Sequence, residues 1–202
     1  DSDGGLGKVK AMGLDLKRSD TPVVIQDFLK DILDDLLSNK DKDYIIDQIT
    51  KFKKEFKNKP SWEKGTPKRV NKLTKYGKIM ETEVAEREKG NKVPTIPGHV
   101  RAAINWNNLR KINNDNHSME ISDGMKTVVC KLTDNHRGFN SVGIPIDENN
   151  IPPWYKELPF DDALMETNLI DKKVENLLGV MGWDLINRTN INSTINDLFD
   201  FG

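Results

Sequence analysis

Residues 21–39 read TPVVIQDFLKDILDDLLSN, and this stretch has the strongest helical pattern in the chain. Apolar residues recur three and four positions apart, which places them on one side of a helix. They are Val24, Ile25, Phe28, Leu29, Ile32, Leu33, Leu36 and Leu37. Thr21 can act as N-cap and Pro22 fits the first helical position. The pattern therefore predicts a helix from Thr21 to about Asn39 with a wide core-facing side.

Further helices follow from the same period. The clearest runs roughly from Asp43 to Asn58 and carries Ile45, Ile49, Phe52 and Phe56. A short helix is predicted after Thr66-Pro67, carrying Val70 and Leu73, and another after Pro97-Gly98, carrying Val100, Ala103 and Ile104. A last helical stretch extends from about Phe160 to Val180.

Two short runs have the character of strands. Lys126 to Leu132 follows the turn signal Asp123-Gly124, and Val142 to Ile146 precedes the break at Pro152-Pro153. A polar loop, Thr133 to Asn140, is predicted between them. The fold class expected from all elements is α+β, mainly helical, with a small sheet.

Composition narrows the classes of protein to which the chain can belong. Among its 202 residues, 31% are charged and the formal net charge is −1. No apolar run approaches the roughly 18 residues of a membrane span, and no signal peptide opens the chain, so we expect a soluble protein. The single cysteine, Cys130, lies in a strand-like run and is expected to be buried and inert. Because no initiator Met is present, we expect the chain to begin partway through a larger protein.

Charge is unevenly distributed along the sequence. Residues 51–79 contain eleven Lys or Arg and only two acids, whereas residues 1–50 contain eleven acids and seven bases. Residues 140–202 are again acidic. A basic block within an acidic chain is typical of polyanion binding. A solvated surface without a ligand is the alternative, but Trp62, Gly65, Pro67, Tyr76 and Gly77 interrupt the block and favour a phosphate-binding loop surface.

No catalytic constellation is evident. His99, His117 and His136 are scattered and share no metal-ligand spacing with an acid or with Cys130. The sequence lacks a phosphate-cradling Gly-Lys-Ser/Thr loop, a nucleophile elbow and a dinucleotide fingerprint. We therefore expect no catalytic residue, metal site or cofactor in this chain.

The last eleven residues, 192–202, read NSTINDLFDFG and concentrate large apolar side chains at a chain end. Ile195, Leu198 and Phe199 are three and four residues apart, so one helical turn would align them, and Phe201 follows. Such a peptide can dock as a short helix in the groove of a partner. The alternative, in which these side chains fold back onto the chain's own core, stays open.

Several segments resemble B-family DNA polymerases. Residues 8–22, KVKAMGLDLKRSDTP, resemble the junction between palm and thumb, with Met-Gly-Leu and Ser-x-Thr-Pro details similar to those of T-even-type bacteriophage replicative polymerases. Pro97 to Arg101 followed by Trp106-Asn107, and Lys75-Tyr76-Gly77, resemble thumb segments of the same enzymes. The tail resembles their sliding-clamp peptide, with Asn192 where many clamp peptides have Gln.

The resemblance implies a domain organisation and a role. Residues 1–20 would form the palm-to-thumb junction, residues 21–186 a thumb with a small β subdomain, and residues 187–202 a linker and clamp-binding tail. The parent enzyme would be a DNA-directed DNA polymerase acting in the cytoplasm of an infected bacterial host. Its Mg²⁺-binding carboxylates and exonuclease would lie upstream, so this chain alone is expected to be inactive.

The resemblance and the charge pattern together give candidate binding residues. The resemblance places Lys8, Lys10, Lys17 and Arg18 at the primer–template duplex near the palm. Charge indicates further backbone contacts at Lys68, Arg69, Lys72, Lys75, Tyr76, His99 and Arg101. The resemblance implies a sliding clamp as the partner of Ile195, Leu198, Phe199 and Phe201. The alternatives are a standalone, non-catalytic DNA-binding accessory protein and an interaction domain with an incidental charge pattern.

The tail hypothesis predicts a separable effect of Phe199→Ala. An aromatic anchor in a desolvated pocket costs about 2 kcal/mol or more on truncation, so clamp affinity should fall at least about thirtyfold. The melting temperature should hardly change, because substitutions outside a core usually shift stability by within about 0.5 kcal/mol. Calorimetric titration of a ring-shaped clamp and thermal melting of the same variant measure both quantities. Lower stability with unchanged clamp affinity would show that the tail packs on its own chain.

Overall fold

The computed structural model describes residues 20–136 and 138–180. The elements are α1 (Val23–Leu37), α2 (Lys42–Lys57), β1 (Thr66–Arg69), α3 (Leu73–Glu88), α4 (Gly98–Ile112), β2 (Lys126–His136), β3 (Phe139–Pro145), α5 (Pro153–Lys156), α6 (Asp162–Glu166), a π-helical turn (Thr167–Asp171) and α7 (Lys172–Val180). The structure confirms the predicted mainly helical α+β class with a small sheet, whose three strands are antiparallel.

The chain divides into two compact units. One, the helical unit, contains the described residues up to Lys59 together with those from Glu166 onward. The other, the sheet unit, is Pro60–Met165. The range 21–186 that the resemblance assigned to one thumb thus includes a helical unit made of two separate stretches and a sheet unit inserted between them.

The core of the helical unit consists of the apolar sides of α1, α2 and α7. Ile25, Phe28, Leu29, Ile32, Leu33 and Leu36 of α1 are buried, as predicted, whereas Val24 and Leu37 at the margins are exposed. Ile45, Ile49 and Phe56 of α2 and residues from the π-helical turn and α7 complete the cluster. Each fully buried aliphatic or aromatic side chain contributes roughly 1.5–3 kcal/mol.

The start of α1 differs from its prediction. Pro22 occupies the N-cap, and no side chain caps this end of the helix. Thr21, predicted as N-cap, lies one residue earlier and is buried, and its backbone carbonyl accepts a hydrogen bond from the Gln26 side chain at 2.7 Å. The Thr21 hydroxyl also lies 3.2 Å from Lys173 Nζ of α7, a tertiary contact that competes with capping.

The sheet unit is built around β2. Its strand order is β1-β2-β3 and both pairings are antiparallel, so β2 is the central strand. Helix α4 packs against the sheet closely enough that a Cβ on Gly143 would lie 3.5 Å from the Ala103 nitrogen. The core combines sheet residues with the aromatic group Trp106, Trp154, Tyr155 and Phe160.

The helix predicted directly after Thr66-Pro67 is wrong in its first residues. Thr66–Arg69 is a strand, Val70 continues the backbone pairing through hydrogen bonds with Met125 and Gly124, and only Leu73 begins a helix. The pairing of β1 with β2 explains the difference, since a local pattern cannot report a partner strand about 60 residues away. Pro67 is tolerated because β1 is an edge strand.

The polar loop predicted from Thr133 to Asn140 is also largely wrong. Strand β2 continues to His136 and β3 begins at Phe139, with an irregular register between Lys131 and His136. The strands reverse at Gly138, whose φ of +84° favours glycine. Backbone pairing, which side-chain polarity does not encode, extends both strands into this polar sequence.

Other predicted elements are confirmed. They are the helices of α1, α2 and α4, both strands at their predicted centres and the helical stretch predicted from about Phe160, as far as the described residues extend. The last of these includes the π-helical turn Thr167–Asp171, in which the consecutive residues Leu169 and Ile170 are both buried. None of the helices that the structure describes is long and apolar enough to cross a membrane.

Gly65 lies against the backbone of β2, and this contact predicts a strong stability effect. A Cβ at Gly65 would lie 2.6 Å from Val128 Cγ1 and 2.7 Å from the Val129 carbonyl oxygen. Overpacking of this kind costs roughly 1–3 kcal/mol, and a change of 1 kcal/mol shifts the melting temperature by about 2–4 °C at this chain length. Gly65→Ala should therefore melt several degrees lower by calorimetry.

Gly77→Ala is the matched control. Apart from its chain neighbours and the backbone of its own helix, no atom lies within 4 Å of a Cβ built at Gly77, which is inside helix α3. Alanine should stabilise the helix there by roughly 0.5–1 kcal/mol. Equal melting temperatures of the two variants would contradict the close approach of Gly65 to β2.

Candidate nucleic-acid interface

The basic block of the sequence is divided between the two units, and part of it is paired with acids. Lys53 Nζ lies 2.8 Å from Asp171 Oδ1 within the helical unit. Lys64 is only 2% exposed and its Nζ lies 3.8 Å from Asp162 Oδ1 within the sheet unit. A buried cation is tolerated only when paired or hydrogen-bonded, so these two lysines have structural roles. Acids from the C-terminal acidic region thus neutralise part of the block.

A second part of the block gathers at one edge of the sheet unit. This basic edge consists of Lys68, Arg69, Lys72, Lys75 and Lys126. The first two lie on β1, the next two at the start of α3, and Lys126 is the first residue of β2. Arg69, Lys72 and Lys75 are exposed, while Lys68 and Lys126 are half-buried. Three elements therefore contribute cations to a short stretch of surface.

Strand register sets two of these cations face to face. Arg69 and Lys126 are directly opposed in the antiparallel pairing of β1 with β2. Like charges in this position destabilise a sheet. Arg69 Nη1 donates a hydrogen bond to the Gly124 carbonyl at 2.6 Å, which fixes the guanidinium beside the strand end. Sequence reasoning had no signal for Lys126, because its position depends on strand pairing.

Lys72 has an unusual backbone conformation. Its φ is +61°, in the left-handed region that costs an ordinary residue roughly 1–2 kcal/mol. It is the N-cap residue of α3, and the next amide, Leu73 N–H, donates to Asp123 Oδ1 at 2.8 Å. One carboxylate therefore lies within the basic edge and holds the helix start against the turn before β2.

His99, in the first turn of α4, lies close to this edge. Burial and, second, the charge of Lys68 lower the pKa of the half-buried imidazole below its usual value of 6.5. His99 of α4 is therefore near enough to Lys68 of β1 for its pKa to respond to the lysine charge. The neutral imidazole can donate one hydrogen bond and accept another, and a phosphate beside it would favour its protonated form.

The remaining two sequence candidates of this region support helix packing. Arg101 Nη2 lies 2.8 Å from Glu83 Oε2, and Arg87 also contacts Glu83 at 2.8 Å. Arg101 and Arg87 hold the pKa of this carboxyl below its usual value. Tyr76 is half-buried against the small cluster of Ile96, Val100 and Ile104. Both side chains thus contribute to the contact between α3 and α4.

The other predicted binding residues lie outside the described residues. They are Lys8, Lys10, Lys17 and Arg18 of the junction and Ile195, Leu198, Phe199 and Phe201 of the tail. The structure therefore brings together five of the predicted cations and polar groups, Lys68, Arg69, Lys72, Lys75 and His99, and adds Lys126 to them.

The structure also places the single cysteine and the potential metal ligands of the described residues. Cys130 is fully buried, as predicted, and burial raises the pKa of its thiol to about 12, so the reactive thiolate is not populated near neutrality. Within residues 20–136 and 138–180, no three His, Cys, Asp or Glu side chains are arranged to hold a metal ion.

Comparison with known proteins gives no family assignment. No protein-family model matches the sequence, and no match was found among curated proteins.

The effect of the Lys68 charge on His99 predicts a measurable pKa change. Lys68→Gln should raise the pKa of His99 toward its usual 6.5 but not fully to it, because burial is the larger cause of the shift. Titration of the His99 ring protons by NMR measures this. Lys111→Gln, which removes the same charge from the other end of α4, is the control and should leave the pKa of His99 unchanged. A pKa of His99 that does not respond to Lys68→Gln would contradict the proximity.

Proposed function

We propose that this chain is the thumb region of a phage-type, B-family DNA-directed DNA polymerase and that its basic edge grips the backbone of primer–template duplex. The observation that carries the DNA-binding part is the placement of five cations at neighbouring backbone positions of β1, β2 and the start of α3. The polymerase part is supported by the segments at residues 8–22, 75–77 and 97–107 that resemble the junction and thumb of such enzymes.

The composition of the basic edge suits a sequence-independent grip. Lys and Arg side chains on phosphates release condensed counterions, and this supplies most of non-specific affinity. Reading bases requires side chains that enter a groove with a fixed donor and acceptor pattern. The exposed cations at the edge are long and flexible, apart from the tethered guanidinium of Arg69. The expected ligand is thus duplex of any sequence.

The charge pairs that the fold forms internally refine the proposal. Arg101 is held by Glu83, and Lys53 and Lys64 by acids of their own units, so we do not assign them to DNA. Lys126, opposite Arg69, joins the proposed contacts in their place. His99 would gain a proton on binding, because a nearby phosphate favours the charged imidazole.

Catalysis and processivity belong to other parts of the proposed enzyme. Phosphoryl transfer needs two metal ions held by convergent carboxylates, which we assign to an upstream palm. The tail from residue 192 would hold a sliding clamp through its aliphatic and aromatic residues. The partners of this chain would then be duplex DNA, the clamp and the upstream palm and exonuclease.

Salt dependence of duplex binding tests the proposal. Non-specific affinity should lie at roughly 10⁻⁴ to 10⁻⁶ M and weaken steeply with salt. Replacing Lys68, Arg69, Lys72 and Lys75 together by Gln should reduce the slope of log K against log salt by about 0.9 for each phosphate that the variant no longer neutralises. Fluorescence anisotropy on two unrelated duplexes between low and moderate salt gives the slope and the sequence preference.

The control variant removes the same charge elsewhere. Lys30, Lys51, Lys54 and Lys111 are exposed lysines outside the basic edge, and their joint replacement by Gln should leave the slope almost unchanged. An equal decrease of slope in both variants would indicate a response to net charge alone and refute a localised interface. A strong preference for one duplex sequence would also refute it.

A further inference from the structure

The helical unit has a groove between α1 and α2 that the proposed DNA interface does not use. Its volume is about 320 Å³. The rings of Phe28 and Phe52 stack beneath it with centroids 3.8 Å apart and an interplanar angle of 6°. Val24, at one end, is 38% exposed. The floor is therefore apolar and partly open to solvent.

One rim of the groove is a row of carboxylates. Asp27, Asp31 and Asp35 line it from α1, four residues apart, which corresponds to a rise of about 6 Å between neighbours. Within the part of the chain that the structure describes, none of the three forms an ion pair, and like charges at this spacing destabilise a helix by a few tenths of a kcal/mol per pair. Repulsion within the row thus disfavours the helical state of α1.

The opposite rim does not neutralise this charge. Helix α2 contributes Gln48, Lys51 and Glu55. Among the described residues that line the groove, four carboxylates therefore surround an apolar floor with a single ammonium group. Duplex DNA is repelled by such a surface. Among the described residues, no three His, Cys, Asp or Glu side chains are arranged to hold a metal ion.

We propose that this groove binds an amphipathic helix of a partner protein, with Lys or Arg on one side and apolar residues on the adjacent side. Cations four residues apart on that helix repeat every 6 Å or so, the same interval as the aspartates. Its apolar residues cover Phe52 and Val24 as anchors in the groove. Binding removes the repulsion within the row, and the match of charge sets partner choice and association rate.

The occupant is a partner helix rather than nucleic acid, and it engages the helical unit rather than the basic edge. The groove proposal can therefore be tested independently of the proposed DNA binding. The duplex does not compete for the groove itself, because its phosphates are repelled by the carboxylates.

Two synthetic helical peptides of equal length and identical apolar residues test this, one with Lys and the other with Glu at all polar positions. Fluorescence anisotropy with the full chain should show binding of the Lys peptide and none of the Glu peptide. Replacing Asp27, Asp31 and Asp35 by Asn should weaken the Lys peptide at least about tenfold. Val24→Gln, which leaves the charge unchanged, should weaken it as well, because it disrupts the apolar floor.

The matched control replaces Asp34, Asp43 and Asp47, exposed acids of α1 and α2 that do not line the groove, by Asn. It should retain the affinity of the unmodified chain, and thermal melting confirms that each variant is folded. Equal weakening in both triple variants, or an unchanged affinity in Val24→Gln, would overturn the proposal by showing that only net charge attracts the peptide.

Two other possible occupants of the groove would give different experimental results. Binding of the Lys peptide only after Lys8, Lys10, Lys17 and Arg18 are replaced by Gln would assign the groove to the chain's own basic segment. Self-association in sedimentation, abolished on replacing Asp27, Asp31 and Asp35, would assign it to a second copy. Either result, like the absence of any binding, would overturn the partner proposal.

Discussion

The sheet unit and its basic edge both require the antiparallel pairing of β1 with β2. That pairing needs Gly65, whose missing side chain lets the chain approach Val128 and Val129 of β2. Backbone hydrogen bonds of Val70 with Met125 and Gly124 extend the pairing almost to the start of α3. It also places Arg69 opposite Lys126 despite their repulsion. Without this register, Lys126 would not lie beside the cations of β1 and the start of α3.

Charges that are segregated along the sequence are partly paired with one another in the folded protein. Ion pairs such as Lys53 with Asp171 and Lys64 with Asp162 join the basic block to the acidic C-terminal region inside each unit. Taking both charges of such a pair out of water offsets much of their attraction, so the pairs add little net stability, whereas loss of one partner is costly. In addition to these pairs, the sheet unit has a basic edge and the helical unit has an acidic groove. The two surfaces carry opposite charge and so suit ligands of opposite charge.

Periodic patterns predicted the helices and their buried sides well, because an amphipathic helix contains its own hydrogen bonds and needs only a core to face. Ile25, Phe28, Ile45 and Ile49 are buried where the pattern placed them. The candidate site was predicted less completely. Lys68, Arg69, Lys72 and Lys75 are near one another in sequence, and composition alone singled them out. Lys126 was missed and Arg101 proved to be paired with Glu83, because both facts depend on contacts between distant residues.

Local sequence was enough to establish the fold class, the positions of the main helices and the burial of Cys130, since periodicity and polarity reflect which side chains avoid water. Only contacts in three dimensions established that Thr66–Arg69 is a strand, that two stretches distant in sequence form one helical unit, and which lysines lie exposed at the basic edge. These three results have a common cause. Strand pairing, the closing of a core by distant segments and ion pairing are non-local interactions, and a one-dimensional pattern contains no distances between their partners.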